Sequence, residues 1–138
     1  MLITMLGIAV IAGVHHGIAP SVTGAGTTSQ TRSEATLAGT YLYANQGNGF
    51  TYAGSDVFDG NGNVTSMATV GGQGERSEVR TATGTYTVNA DCTGIVTYPE
   101  GIEDQIFIAP DGSLLTYVSR TPGSFIAGFE FQSRQAVR

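Results

Sequence analysis

The chain has no lysine, no tryptophan and a single cysteine, and its two histidines, His15 and His16, sit side by side near the start. Charged residues make up 12% of the 138 positions, about half the usual share. Each shortage excludes something. One cysteine, Cys92, excludes an internal disulfide. The absence of lysine excludes a Schiff-base nucleophile. Six arginines against eleven acids leave a net charge of −5. That is the wrong sign for a nucleic-acid partner, whose phosphates need a cationic surface. No stretch after residue 37 carries a capped helical period, so a helical bundle is excluded as well.

No acid, lysine or arginine precedes Arg32. Within that span Leu2 to Val14 is a thirteen-residue run broken only by Thr4 and two glycines. A membrane span needs about 20 apolar residues, so the run reads as the core of a signal peptide covering residues 1–25. Thr23-Gly24-Ala25 supplies the small residues of a cleavage site, and Ala19 is a poorer one because Pro20 follows it. The basic residue that usually precedes such a run is missing. On this reading the protein is secreted or periplasmic, residues 26–36 are a flexible N-terminal segment, and the mature chain has no membrane span. Both histidines leave with the leader. A Ser-His-Asp triad, a Cys-His pair and a histidine-ligated zinc are then impossible within one chain. Proton chemistry falls to Asp, Glu, Tyr, Arg and one thiol, and no metal or cofactor is expected.

What the chain has in quantity is glycine, 20 residues, and threonine, 18 residues. From residue 37 it alternates short extended runs with turn chemistry, which predicts strands at 37–44, 50–58, 64–70, 79–88, 94–98, 104–109, 113–119 and 125–132. Asn48-Gly49, Asp59-Gly60-Asn61-Gly62-Asn63 and Asp111-Gly112 are hairpin signals, because these residues tolerate the positive φ of tight turns. Connections this short favour antiparallel neighbours. The expectation is a single all-β domain over residues 37–134, an antiparallel up-and-down barrel of about eight strands, with a β-sandwich as the alternative. Gly39-Thr40-Tyr41 recurs as Gly84-Thr85-Tyr86, a weak echo that leans toward the barrel.

Leu37-Ala38-Gly39-Thr40-Tyr41, Asp59-Gly60-Asn61-Gly62-Asn63-Val64 and the run from Gly84 through Asp91-Cys92-Thr93-Gly94 resemble a group of small secreted bacterial proteins of unassigned activity. The resemblance extends from residue 37 to about 134, and Asp91-Cys92-Thr93-Gly94 closes its most specific part. It implies a β-barrel of the lipocalin or allene-oxide-cyclase-like type. Barrels of that kind include carriers of apolar ligands and enzymes that fold a polyene or polyketide for cyclisation. No catalytic residue set carries over from either.

Candidate site residues come from the alternation. Phe50, Tyr52, Gly54, Asp56 and Phe58 share one face. An acid on an otherwise aromatic face is the pattern of a cavity carboxylate with a raised pKa, which makes Asp56 the first catalytic candidate. The alternative is a solvated acid near the barrel rim. Phe125, Ala127, Phe129 and Phe131 share a face opposite Ile126, Gly128, Glu130 and Gln132. The simplest assignment puts the phenylalanines inside and Glu130 in water. The reversed faces make Glu130 a second catalytic candidate and leave an apolar strip outside. All six tyrosines fall in strands, where their hydroxyls could orient a ligand or pack wet on the surface. The expected ligand-binding set is Tyr41, Tyr52, Asp56, Tyr86, Tyr117 and Phe129, with Tyr41 and Tyr52 as hydroxyl partners of Asp56.

Gly39, Gly54, Gly84 and Gly128 lie within strands, where they permit bending or leave volume for a ligand. Asp59 to Asn63 alternates oxygen donors as calcium loops do, but Val70 stands where the closing acid belongs, and a hairpin turn explains the glycines. Gly71 to Val79 is expected to be a nine-residue charged loop holding Glu75, Arg76 and Glu78. Cys92 is expected as a buried turn thiol. The functional expectation is a secreted barrel that binds a small apolar ligand in its lumen. The alternatives are a cofactor-free isomerase or cyclase using a lumen carboxylate and tyrosines, and a solid structural barrel.

Overall fold

The computed structural model describes residues 31–134 apart from Gln73. The expected leader, residues 1–25, lies outside the described residues. Eight strands follow one another: β1 (Ala38–Gly47), β2 (Phe50–Asp59), β3 (Asn63–Gly72), β4 (Glu75–Val88), β5 (Thr93–Tyr98), β6 (Ile102–Ile108), β7 (Leu114–Ser119) and β8 (Ala127–Gln132). Each pairs antiparallel with the next, and β1 pairs with β8 to close the barrel. Closure removes the exposed sheet edges that a sandwich would leave.

The turns form where the sequence predicts them. Asn48 and Gly49 both have positive φ, 53° and 82°, the signs a two-residue turn needs to follow the twist of its strands. In the next hairpin Asp59 Oδ1 accepts the backbone N–H groups of Asn61 and Asn63 at 2.7 and 3.0 Å, and Oδ2 accepts Asn63 Nδ2 at 2.7 Å. These hydrogen bonds, Asn63's first, hold the Asp59 carboxyl below the usual carboxylate range. Cys92 occupies a turn at φ 67°, half-buried against the core.

The expected loop at Gly71–Val79 is instead mostly strand. β3 runs to Gly72 and β4 begins at Glu75, because Thr69↔Val79 and Val70↔Glu78 continue the ladder outward. Ser77, Glu78, Val79 and Arg80 are all exposed, so the stretch is a solvent-facing strand rather than a loop. β4 pairs with β5 only from Thr85 to Val88. Its Glu75–Gly84 portion therefore projects beyond β5, and β1 to β4 form a longer wall than β5 to β8.

The other end of the barrel is plugged. Residues 34–36, expected to be part of a flexible segment, form a single 3-10 turn that carries Leu37, fully buried, into the barrel mouth. Full burial of a leucine contributes about 2–3 kcal/mol. Tyr86 Oη lies 2.8 Å from the carbonyls of both Glu34 and Leu37, so its hydroxyl fastens the plug. Tyr41 donates to the Gly112 carbonyl in the β6–β7 turn. Phe58 stands between these rings, edge to face with Tyr41 at 5.3 Å and Tyr86 at 5.0 Å between centroids. The two echoed tyrosines, on β1 and β4, thus close one aromatic cluster. Val64, Val88, Val96, Ile106, Ile108, Leu115 and Tyr117 complete this core.

Candidate functional site in the barrel lumen

Above the apolar plug the lining becomes polar. Alternation sends Tyr43 of β1, Asp56 of β2, Ser66 of β3, Tyr98 of β5, Asp104 of β6, Ser119 of β7 and Glu130 of β8 inward. Register then brings them level. Tyr43 lies opposite Glu130, Asp56 opposite Ser66, and Asp104 opposite Ser119. The result is a belt to which seven strands each give one polar side chain.

Asp56 and Glu130 are both only 5% exposed. Tyr98 donates its hydroxyl to Asp56 Oδ2 at 3.0 Å. Tyr43 Oη and Ser66 Oγ are 3.3 Å apart. Burial raises the Asp56 pKa, against hydrogen bonds from Ser66, Tyr98 and Glu130 that pull it back. Burial also pushes Glu130 up to about 9, reinforced by the charges of Asp56 and Asp104 and by its own hydrogen bond to Asp56. Two carboxyls in contact cannot both ionise cheaply, and the one with donors around it takes the charge. Glu130 therefore holds the proton at neutral pH and donates it toward Asp56. Asp104, raised chiefly by burial, is bonded to Ser119. Tyr98 and Tyr43 are shifted up by desolvation, Tyr43 to about 12, so both stay protonated donors.

The expected site residues do not share one place. Asp56 faces the lumen as its alternation predicts. Glu130 does too, against the simplest assignment: β8 has its faces reversed, with Phe129 and Phe131 50% and 54% exposed. The reason lies in the pairing, because Leu42↔Phe131 and Tyr43↔Glu130 fix the phase of β8 against β1. Phe129 is therefore on the outer wall, edge to face with Phe131 at 5.1 Å, and does not line the lumen. Tyr41 and Tyr86 are buried in the plug with their hydroxyls already committed to backbone carbonyls. Tyr117 accepts a hydrogen bond from Asn45 Nδ2 beside the belt. Tyr52 is half-buried on the projecting wall. The hydroxyl partner of Asp56 is Tyr98, not Tyr41 or Tyr52.

Tyr98, Asp104, Ser66 and Ser119 escaped the sequence reading. Asp104 carried the same signal as Asp56, an acid in phase with Ile106 and Ile108. Two strand glycines also have a specific use. A Cβ at Gly84 would lie 2.9 Å from Tyr98 Cδ1, and one at Gly128 would lie 2.9 Å from Tyr117 Cζ. The room they leave holds those tyrosine rings.

Comparison with protein-family models, curated proteins and solved structures finds no match for this chain. The class rests on the fold itself, an all-β, closed, eight-stranded antiparallel barrel. Among the described residues no helix is long and apolar enough to cross a membrane, and no cluster of side chains is arranged to hold a metal ion.

Proposed function

We propose that this barrel is a secreted, lipocalin-like binding protein that takes a small, largely apolar molecule against the polar belt. The supporting observation is the belt itself. A barrel that served only as a scaffold would gain stability from apolar residues at Asp56, Asp104 and Glu130, since burying carboxyls opposes folding. Buried titratable groups with shifted pKa values gathered in a barrel interior are a signature of binding and catalysis. An eight-stranded barrel has room for one small ligand at most. The ligand would approach from the end where β1 to β4 project, whose inner surface carries half-buried Tyr52 and buried Ala68 and Val70. Its apolar body would lie on that wall and its polar end would meet Asp56, Glu130 and Tyr98.

The test is a thermal-shift screen of hydrophobic probes and polyene-like compounds on the chain beginning at residue 26. A ligand at about 100 times its Kd stabilises the native state by about 2.7 kcal/mol, several degrees in Tm. Asp56→Asn should weaken the response to ligands with a polar end. If no compound shifts Tm and Asp56→Asn behaves as the parent toward each, the barrel is a structural protein.

One observation favours a second reading, a cofactor-free isomerase or cyclase of the allene-oxide-cyclase-like kind. Asp56 and Glu130 are buried carboxyls in contact, Glu130 the more strongly held in its protonated form, an arrangement that suits a base beside an acid. Deuterium uptake from heavy water into a bound enolisable or polyene ligand, lost in Asp56→Asn, would distinguish catalysis from binding alone.

A further inference from the structure

The belt is rich in acceptors and poor in donors. Asp56, Asp104 and Glu130 together present six carboxyl oxygens. The hydroxyls that serve them are Tyr98 and Ser66 on Asp56 and Ser119 on Asp104. Asp56 Oδ1 and Glu130 Oε2 are fully buried and receive no hydrogen bond from another donor side chain or backbone group. The single proton the pair shares can satisfy one of these oxygens as a donor and the other as an acceptor, but only while Glu130 stays neutral. The groups whose charge acts on Glu130 are Asp56 and Asp104, both of the same sign. No cationic side chain is among the groups whose charge acts on Glu130, and a cation with several N–H groups could serve both oxygens at once.

We propose that the polar end of the ligand is a protonated amine, whose N–H groups bond Asp56 Oδ1 and Glu130 Oε2 within the belt. The inference rests on the lumen-binding reading above and narrows it to organic ammonium ions. An ammonium offers three donors and no acceptor, and its bonds to carboxylates are charge-assisted and about twice as strong as neutral ones. The hydroxyls of Tyr43, Tyr98 and Tyr117 reach this region from β1, β5 and β7 and add neutral oxygen acceptors for further N–H groups. Binding would displace the Glu130 proton to solvent, because a cation between the two carboxyls offsets the repulsion and burial that hold Glu130 neutral. The titratable groups that face Glu130 are Tyr41 and Tyr43 from β1, Asp56 from β2, Tyr98 from β5, Asp104 from β6 and Tyr117 from β7. All are acidic or neutral, so nothing in that set replaces the cation.

The experiment is isothermal titration calorimetry of the chain from residue 26 with phenethylamine and with its isostere phenethyl alcohol. Each is run at about pH 7 in two buffers of different ionisation enthalpy. The expected result is at least about tenfold tighter binding of the amine, with a buffer-dependent heat that reports proton release. Glu130→Gln should abolish the proton release and most of the preference. Asp56→Asn should reduce the preference by an independent route. Equal affinity for amine and alcohol overturns the amine assignment and leaves lumen binding standing. Tighter amine binding without proton release, unchanged in both variants, places the amine elsewhere and overturns it too. Failure of both compounds to bind overturns the amine assignment and counts against the lumen reading as well.

Discussion

Replacing Glu130 by glutamine should flatten the dependence of stability on pH, and the sign follows from where the proton sits. The Glu130 pKa is about 9 in the folded barrel against an ordinary 4.5. Between those values the folded protein binds more protons than the unfolded chain, so stability falls as pH rises. The favourable contribution is whole below pH 4.5 and is gone once pH has risen through about 9. One pKa unit corresponds to about 1.4 kcal/mol, so going from about pH 5 to about pH 7 should cost roughly 3 kcal/mol. Asp56 and Asp104 are shifted in the same direction and add to the loss. Glutamine keeps the shape and a donor toward Asp56 but never ionises. Urea unfolding at about pH 5, 7 and 9 should show the parent losing stability steeply and Glu130→Gln much less. Parallel pH profiles for the two proteins would refute the reasoning.

Leu37→Ala should loosen the plug and cost about 2–5 kcal/mol, because the side chain is fully buried; chemical denaturation measures it. Gly128→Ala should cost about 1–3 kcal/mol, since the new methyl would press on Tyr117 Oη at 2.8 Å and Asn45 Cβ at 3.1 Å. A Tm equal to the parent's would show that the Tyr117 ring moves aside freely.

Most of the architecture was legible because turn chemistry is local. Asn48-Gly49 and the Asp59 loop declare their hairpins within a few residues, and eight short strands so joined have few ways to hide their edges. The boundary at Glu75 was not legible, since a charged stretch can be loop or exposed strand and only pairing with β3 decides. The candidate site was half legible. Asp56 announced itself against Phe58 and Tyr52, whereas β8 has apolar residues in both phases, Phe129 and Phe131 in one and Ile126 in the other. Hydrophobicity alone favoured the wrong face, and the register with β1 overruled it. Tyr98 could not be joined to Asp56 from sequence, because 42 residues separate them and barrel closure brings them together.

The most direct measurement is the titration of the Glu130 carboxyl carbon by NMR, assigned by its disappearance in Glu130→Gln. A midpoint near 9, with Asp56 responding in the same titration, would establish a proton-sharing pair sealed in the lumen. A midpoint in the ordinary carboxylate range near 4.5 would mean that Glu130 meets water, and the polar belt would not be the buried acid site on which the functional proposals stand.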